Sequence, residues 1–285
     1  MVMLLAVPAV AVADVKAPLC VPPDATPAVL AVGGTALVCW GTTGDCVRVR
    51  DRKVVRYPKA ITSTPALRWT ARKRLQKRTL LACSGSSCKS VGARLAAELD
   101  SHPDWAVQVT HDLATATITD PDTATHTLWS IVKDRSITIA PPSEYDRTKA
   151  TAPPINVGAD VVGNTIVTSW TDCAGPCSMS VLVDPETGKN RGAWFPTGHA
   201  AELDPRRIAV IGNEADGKLT VIDTQTAVQT VITLATGPIG ESAIVRLSDD
   251  RIGVLWSEGA MSYAAHVKLG ATPSIVDRQA FERCP

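Results

Sequence analysis

The stretch Arg207–Leu234, RIAVIGNEADGKLTVIDTQTAVQTVITL, decides the fold. It begins with an apolar run, turns at Asn213–Gly217, and resumes as the alternating segment Lys218–Asp223. It turns again at Thr224–Thr226 and ends on Val228–Leu234. Short runs rich in Val, Ile and Thr, with a period of two and separated by Gly, Asn, Asp and Thr, read as consecutive antiparallel strands.

The same plan lies elsewhere in the chain. ALVCWGTTGDCVRVRDRKVVRY starts at Ala36, TIVTSWTDCAGPCSMSVLVDPETGKNRGAWF at Thr165 and RIGVLWSEGAMSYAAHVKLGATPSIVDRQAF at Arg251. Trp40, Trp170 and Trp256 close the first strand of these three units, and Gly212–Asn213 take that place in the stretch quoted first. A further strand precedes each: 28–32, 155–160, 199–203 and 243–247, with 107–111 before a shorter unit from Leu113. A last unit, from Thr79, has Leu95 and Leu99 at helical spacing where its outer strands should be. The anchors Trp40, Ser84, Thr119, Trp170, Asn213 and Trp256 are 44, 35, 51, 43 and 43 residues apart. Four strands per unit of about 40 to 45 residues is the pattern of a propeller blade. The expected fold is therefore an all-β, β-propeller domain of six four-stranded antiparallel blades, with five or seven as the alternatives, and a closed ring that leaves no long unpaired edge.

Composition agrees with that class. The chain has 285 residues, 45% hydrophobic and 20% charged, which excludes disorder. Aromatics make up only 4%, and seven of the twelve are Trp. Those Trp residues read first as fillers between blades, with a carbohydrate-stacking platform as the alternative.

The segment Asp216–Arg251, DGKLTVIDTQTAVQTVITLATGPIGESAIVRLSDDR, resembles the repeat of YVTN-type and related β-propellers, where a VID step leads into a Thr-rich turn. Ser180–Phe195, SVLVDPETGKNRGAWF, resembles it to a lesser degree. The resemblance implies architecture and carries no catalytic residue, because propellers host many unrelated activities.

The start of the chain has an apolar run from Met3 to Val12 and an Ala11-Val12-Ala13 step. It reads as a signal peptide over 1–13, without the usual basic beginning, and a short buried strand is the rival. The propeller would then span 14–285 as a single domain. Leu19 before Cys20 does not suit a lipid anchor, and no segment approaches the ~18 apolar residues of a spanning helix. The expected location is extracytoplasmic, secreted or periplasmic.

Eight cysteines fit that location. Cys39 and Cys46, Cys83 and Cys88, and Cys173 and Cys177 each flank the turn between the second and third strands of a unit, where facing residues come within disulfide reach. Cys20 and Cys284 lie near the two ends, which meet in a closed ring. On the loop-entropy model a loop of ~5 residues contributes about 2 kcal/mol and one of ~265 roughly 5 kcal/mol, so the terminal pair would be the latch. A zinc site is the rival for the short pairs, but each belongs to a different blade and they do not converge. No Cys-x-x-Cys redox motif is present.

Chemistry is sparse. His102, His111, His126, His199 and His266 are scattered, and no metalloprotease, nucleophile-elbow, P-loop or dinucleotide motif occurs. Asp120, Asp122 and His126 in TDPDTATH offer cation ligands, but a polar turn explains them as well, and no metal or cofactor is expected. The strongest asymmetry is charge. Between Arg48 and Arg78 lie twelve bases against the single acid Asp51: Arg48, Arg50, Arg52, Lys53, Arg56, Lys59, Arg68, Arg72, Lys73, Arg74, Lys77 and Arg78. Arg68, Arg72, Lys73, Arg74, Lys77 and Arg78 are the candidate binding residues, for an anionic surface. Edge protection by solvated charges is the alternative. Nucleic acid is not expected, since Trp69 is the main aromatic available for base stacking.

The expected function is an exported, monomeric binding or scaffolding module with a protein or glycan partner. The alternative is an extracytoplasmic hydrolase or lyase at the mouth of the central channel, which requires several of His111, Asp112, Asp120, Asp160 and His199 to converge. Non-reducing peptide mapping of exported protein should yield three short-loop disulfides and one joining the termini; eight free thiols would contradict the cysteine reading.

Overall fold

The structure is a computed structural model, and it describes residues 20–21, 27–40, 45–56, 66–72, 77–84, 86–140, 155–171, 178–212, 217–270 and 272–283. The expected leader, 1–13, lies outside them. After the short β1 (Cys20–Val21), the first meander runs β2 (Pro27–Val32), β3 (Thr35–Trp40), β4 (Asp45–Arg48) and β5 (Val54–Arg56). The second is β6 (Ala66–Arg72), β7 (Lys77–Ser84) and β8 (Ser87–Ser90), followed by α1 (Ala93–Ser101). The third is β9 (Ala106–Val109), β10 (Thr115–Asp120), β11 (Thr125–Ser130) and β12 (Arg135–Ile137). The fourth is β13 (Ile155–Val162), β14 (Thr165–Thr171), β15 (Met179–Val183) and β16 (Asn190–Pro196). The fifth is β17 (Gly198–Asp204), β18 (Arg207–Gly212), β19 (Lys218–Asp223) and β20 (Gln229–Thr233). The sixth is β21 (Ser242–Ser248), β22 (Arg251–Glu258), β23 (Met261–Lys268) and β24 (Ser274–Arg283).

Six consecutive antiparallel meanders make six blades, and the fold is an all-β propeller. Two blades depart from four strands. In the second, α1 takes the place of the fourth strand, and its Leu95 and Leu99 are buried as their spacing predicts. In the sixth, β1 adds a fifth strand, parallel to β24, with Cys20 opposite Glu282 and Val21 opposite Arg283. β6 has no counterpart among the sequence expectations, although Leu67, Trp69 and Ala71 alternate with Arg68, Thr70 and Arg72; its bases read as part of the basic stretch.

The middle strands explain why blades need neighbours. β14, β18 and β19 are buried along almost their whole length on both faces, whereas β20 on the outside is mostly exposed. A lone meander cannot cover two apolar faces. Trp170 and Trp256, 4% and 0% exposed, are fillers of this kind; the side chain of Trp40 lies outside the described set.

Contacts divide the chain into two compact units, residues 1–60 with 240–285 and residues 61–239. In the first, Val29, Ala36, Val38 and Val49 of the first blade pack with Leu255, Ala264 and Phe281 of the sixth. In the second, each blade shares a core with the next. Leu80, Ala82, Leu95 and Leu99 meet Val109, Ala116 and Trp129. Leu128 and Ile137 meet Ile166 and Val183, and Leu182 and Phe195 meet Ile208 and Ile222.

The Asp-x-x-Thr turns carry the motif behind the repeat resemblance. Asp184 Oδ1 accepts the N–H groups of Glu186 and Thr187 at 3.0 and 2.8 Å, and Asp223 Oδ1 those of Gln225 and Thr226 at 2.9 and 2.8 Å. The carboxylate thus supplies the acceptor that a tight turn lacks. The Thr226 N–H, foremost, holds the Asp223 carboxyl below its ordinary range.

Asp134 uses the same chemistry between blades. From the turn after β11 it accepts the N–H groups of Arg94 and Leu95 at 2.9 and 3.1 Å, which caps α1 of the preceding blade. Burial alone would raise its carboxyl, and the N–H donations from Arg94 and Leu95 outweigh it, so the group ionises below its ordinary range. A depressed carboxyl stabilises above its unfolded value of about 3.9, and the gain is lost as pH falls through the folded value. Asp134→Ala is expected to cost about 1 kcal/mol at pH 7 in urea denaturation. The gap from wild type should narrow as pH falls below about 3.9 and close below the folded value.

Candidate functional site

The disulfide hairpins set the frame. Cys39 and Cys46 face each other across β3–β4 and are bonded with S–S 2.02 Å; Cys83 and Cys88 do the same across β7–β8 with S–S 2.08 Å. Both sit at the second turn of their blades, as the spacing predicts. Cys173, Cys177 and Cys284 lie outside the described residues, as does the side chain of Cys20. β1 nevertheless brings the backbone of Cys20 alongside Glu282, two positions before Cys284 in the chain.

The candidate basic residues gather on one hairpin. Arg68 and Arg72 belong to β6, Lys77 and Arg78 to β7, and Lys73 and Arg74 lie outside the described residues. The register sets Arg72 opposite Lys77, Ala71 opposite Arg78 and Arg68 opposite Leu81. Leu80 and Ala82, further along β7, pack against the third blade. The chain from Arg52 to Ala97 contains no acid, so within it no carboxylate offsets this charge.

The residues required for a catalytic cluster go to separate places. Asp120 closes its own turn through the N–H of Asp122 at 2.9 Å and the hydroxyl of Thr123 at 2.8 Å. His126 shares a hydrogen bond with Thr119 at 3.0 Å, and burial lowers its pKa. Asp160 accepts from Gln108 Nε2 at 3.3 Å. His199 lies on β17, where burial disfavours its charged form. Among the described residues no group of three His, Cys, Asp or Glu side chains is placed to hold a metal ion, and no described helix is long and apolar enough to cross a membrane.

Two of the five do enter a shared arrangement, at the first turns of the third to fifth blades. His111 donates its backbone N–H to Gly163 O at 3.0 Å, and its Nδ1 lies 2.9 Å from Glu202 Oε2. The N–H of Asp112 donates to Asn164 Oδ1 at 2.8 Å, and Lys89 Nζ donates to Asp112 O at 2.8 Å. A second stitch lies along the neighbouring strands: Gln108 Oε1 accepts the N–H of Val161 at 2.8 Å. Sequence reasoning missed Lys89, Gln108, Asn164 and Glu202, because each partner belongs to another blade. The Asp112 carboxylate is held by Thr110 and the Ala114 N–H, at 2.6 and 3.0 Å. These groups bind blade to blade and leave a polar surface on which Lys89, Gln108, His111, Asp112 and Asn164 are exposed.

No protein-family model matches the chain, and no curated protein matches it. Solved β-propeller structures are similar at low identity. The dihydro-heme d1 dehydrogenase NirN is 10% identical at a TM-score of 0.41, over 88% of this chain and 56% of that one. Hsv2 of Kluyvelomyces marxianus is 12% identical at 0.40, over 79% and 67%. TolB of Acinetobacter baumannii is 10% identical at 0.37, over 89% and 65%. The chain thus spans little more than half of NirN. The propeller assignment rests on the order of strands in the six sheets, and no activity is carried over from these proteins.

Gly163 is the backbone hinge of the turn cluster. It has φ +64°, and a Cβ there would come within 2.2 Å of Glu202 Cδ. Gly163→Ala therefore strains the turn and displaces the partner of His111. The expected loss is about 1–2 kcal/mol in urea denaturation, while Glu202→Gln, which keeps the volume, should cost less than half as much.

Proposed function

We propose that the chain is an exported, monomeric binding module: a single propeller domain over residues 14–285 that docks an acidic glycan on the basic hairpin β6–β7. The observation that carries the reading is the register of that hairpin. Arg72 stands opposite Lys77, an arrangement that destabilises a strand pair on its own, and Arg68 lies further along the same strand. Charge of one sign held against its own repulsion is complementary to a partner that brings the opposite sign. The Cys39–Cys46 and Cys83–Cys88 disulfides support an oxidising compartment, where such partners are carbohydrate or envelope polymers. The polar side chains of the inner turns are engaged in stitching blades together, which favours docking over catalysis. The YVTN-type repeat belongs to the same reading.

The test is retention of the purified protein on an immobilised uronate polysaccharide. Wild type should elute at higher salt than a triple Arg68→Gln, Arg72→Gln, Lys77→Gln variant, and raising salt should weaken binding throughout. Equal elution of the two would contradict the assignment of the hairpin. Retention of neither, with capture by an uncharged glycan or a protein instead, would contradict the anionic partner.

A further inference from the structure

His266 stands apart from every other histidine. It lies on β23, its side chain is 2% exposed, and both ring nitrogens are engaged. Nε2 accepts the backbone N–H of Ala36, on β3 of the first blade, at 3.1 Å. Nδ1 lies 3.1 Å from Asp277 Oδ2 on β24. An Nε2 that accepts carries no proton, so the ring is neutral, its proton is on Nδ1, and Nδ1 donates to Asp277.

The surroundings show why this hydrogen bond is placed there. Ala36 is fully buried, and its carbonyl accepts the N–H of Val49, so its own N–H needs a partner within the seam. Gly253, opposite His266 on β22, lets the two blades close: a Cβ there would come within 2.6 Å of the Ala36 Cβ and 3.1 Å of Val245. The seam is otherwise apolar, lined by Val29, Val38, Val47 and Leu255. The imidazole makes a buried polar link across it, while Arg52 Nη2 donates to Ala280 O at an exposed position.

We propose that His266 is a proton-operated latch between the first and sixth blades: the neutral ring holds the Ala36 N–H, and a second proton on the ring releases it. An imidazolium has two donors and no acceptor, so Nε2–H would face the Ala36 N–H and leave that buried donor without a partner. The charged groups around the ring act in both directions. Asp277, from β24, favours the imidazolium, while Arg251 from β22 and Arg50 from the turn after β4 oppose it. Burial outweighs Asp277 and holds the ring below the ordinary histidine range. A histidine depressed in the folded state stabilises fully above its unfolded value of about 6.5 and loses that contribution as pH falls through the folded value. The latch is therefore set at neutral pH and released in acid.

The test is hydrogen exchange at the Ala36 amide, corrected for intrinsic rate, between pH 7.5 and 5.0, with the His266 imidazole titrated by NMR in the same samples. In wild type the opening constant should rise about tenfold per pH unit below ~6.5, levelling at the folded pKa. His266→Gln offers a carbonyl acceptor that does not titrate, so its Ala36 protection should stay flat. Asp277→Asn removes the carboxylate that favours the charged ring, so its transition should move to lower pH. Flat protection in wild type, equal loss in His266→Gln, or an upward move in Asp277→Asn would each overturn the proposal. If His266→Gln fails to fold, the direction of the Asp277→Asn shift decides.

Discussion

A blade whose middle strands are apolar on both faces has no interior of its own. Within each compact unit the apolar side chains of β14, β18, β19 and β22 pack with those of a neighbouring blade. Close packing of two sheets buries the Ala36 N–H, and backbone donors at more exposed places also find their acceptors on a neighbouring blade. They are served by single side chains reaching over from the neighbour: Asp134 to the first turn of α1, Gln108 to Val161, Asn164 to Asp112 and His266 to Ala36. Each such reach is specific in register, because a shift of one residue would aim the acceptor at the wrong face.

This division of labour bears on function. Residue types that normally suggest chemistry, histidines and carboxylates, are here mostly acceptors and donors in turns and seams. Asp120, Asp184 and Asp223 close turns, and His266 closes a seam. The bases between Arg48 and Arg78 are the chain's strongest concentration of one charge, and the β6–β7 register sets Arg72 opposite Lys77. The proposed docking of a charged partner rests on that concentration of charge.

Much of the architecture was legible in the sequence because period-two alternation and turn residues are local signals. The strands around Trp170, Ile208 and Trp256 declare themselves, the Cys39 and Cys83 pairs sit at the turns their spacing marks, and Leu95 with Leu99 announces the helix. What was not legible is what depends on distance along the chain. Asp134 and Arg94 are 40 positions apart and His266 and Ala36 are 230 apart, and neither residue type signals its remote partner. β6 was missed although Leu67, Trp69 and Ala71 alternate with Arg68, Thr70 and Arg72, because its two bases read as part of the basic stretch, and β1 because two residues carry no period at all.

The central claim is that blades are stable only through their neighbours. It is tested most directly by hydrogen exchange with mass spectrometry across a urea series, followed on peptides from β7, β10, β14 and β18 of the second compact unit. The account predicts that the slowest amides of all four blades reach one common dependence on urea and open together. Separate dependences, with one blade losing protection while the next keeps its full value, would contradict it.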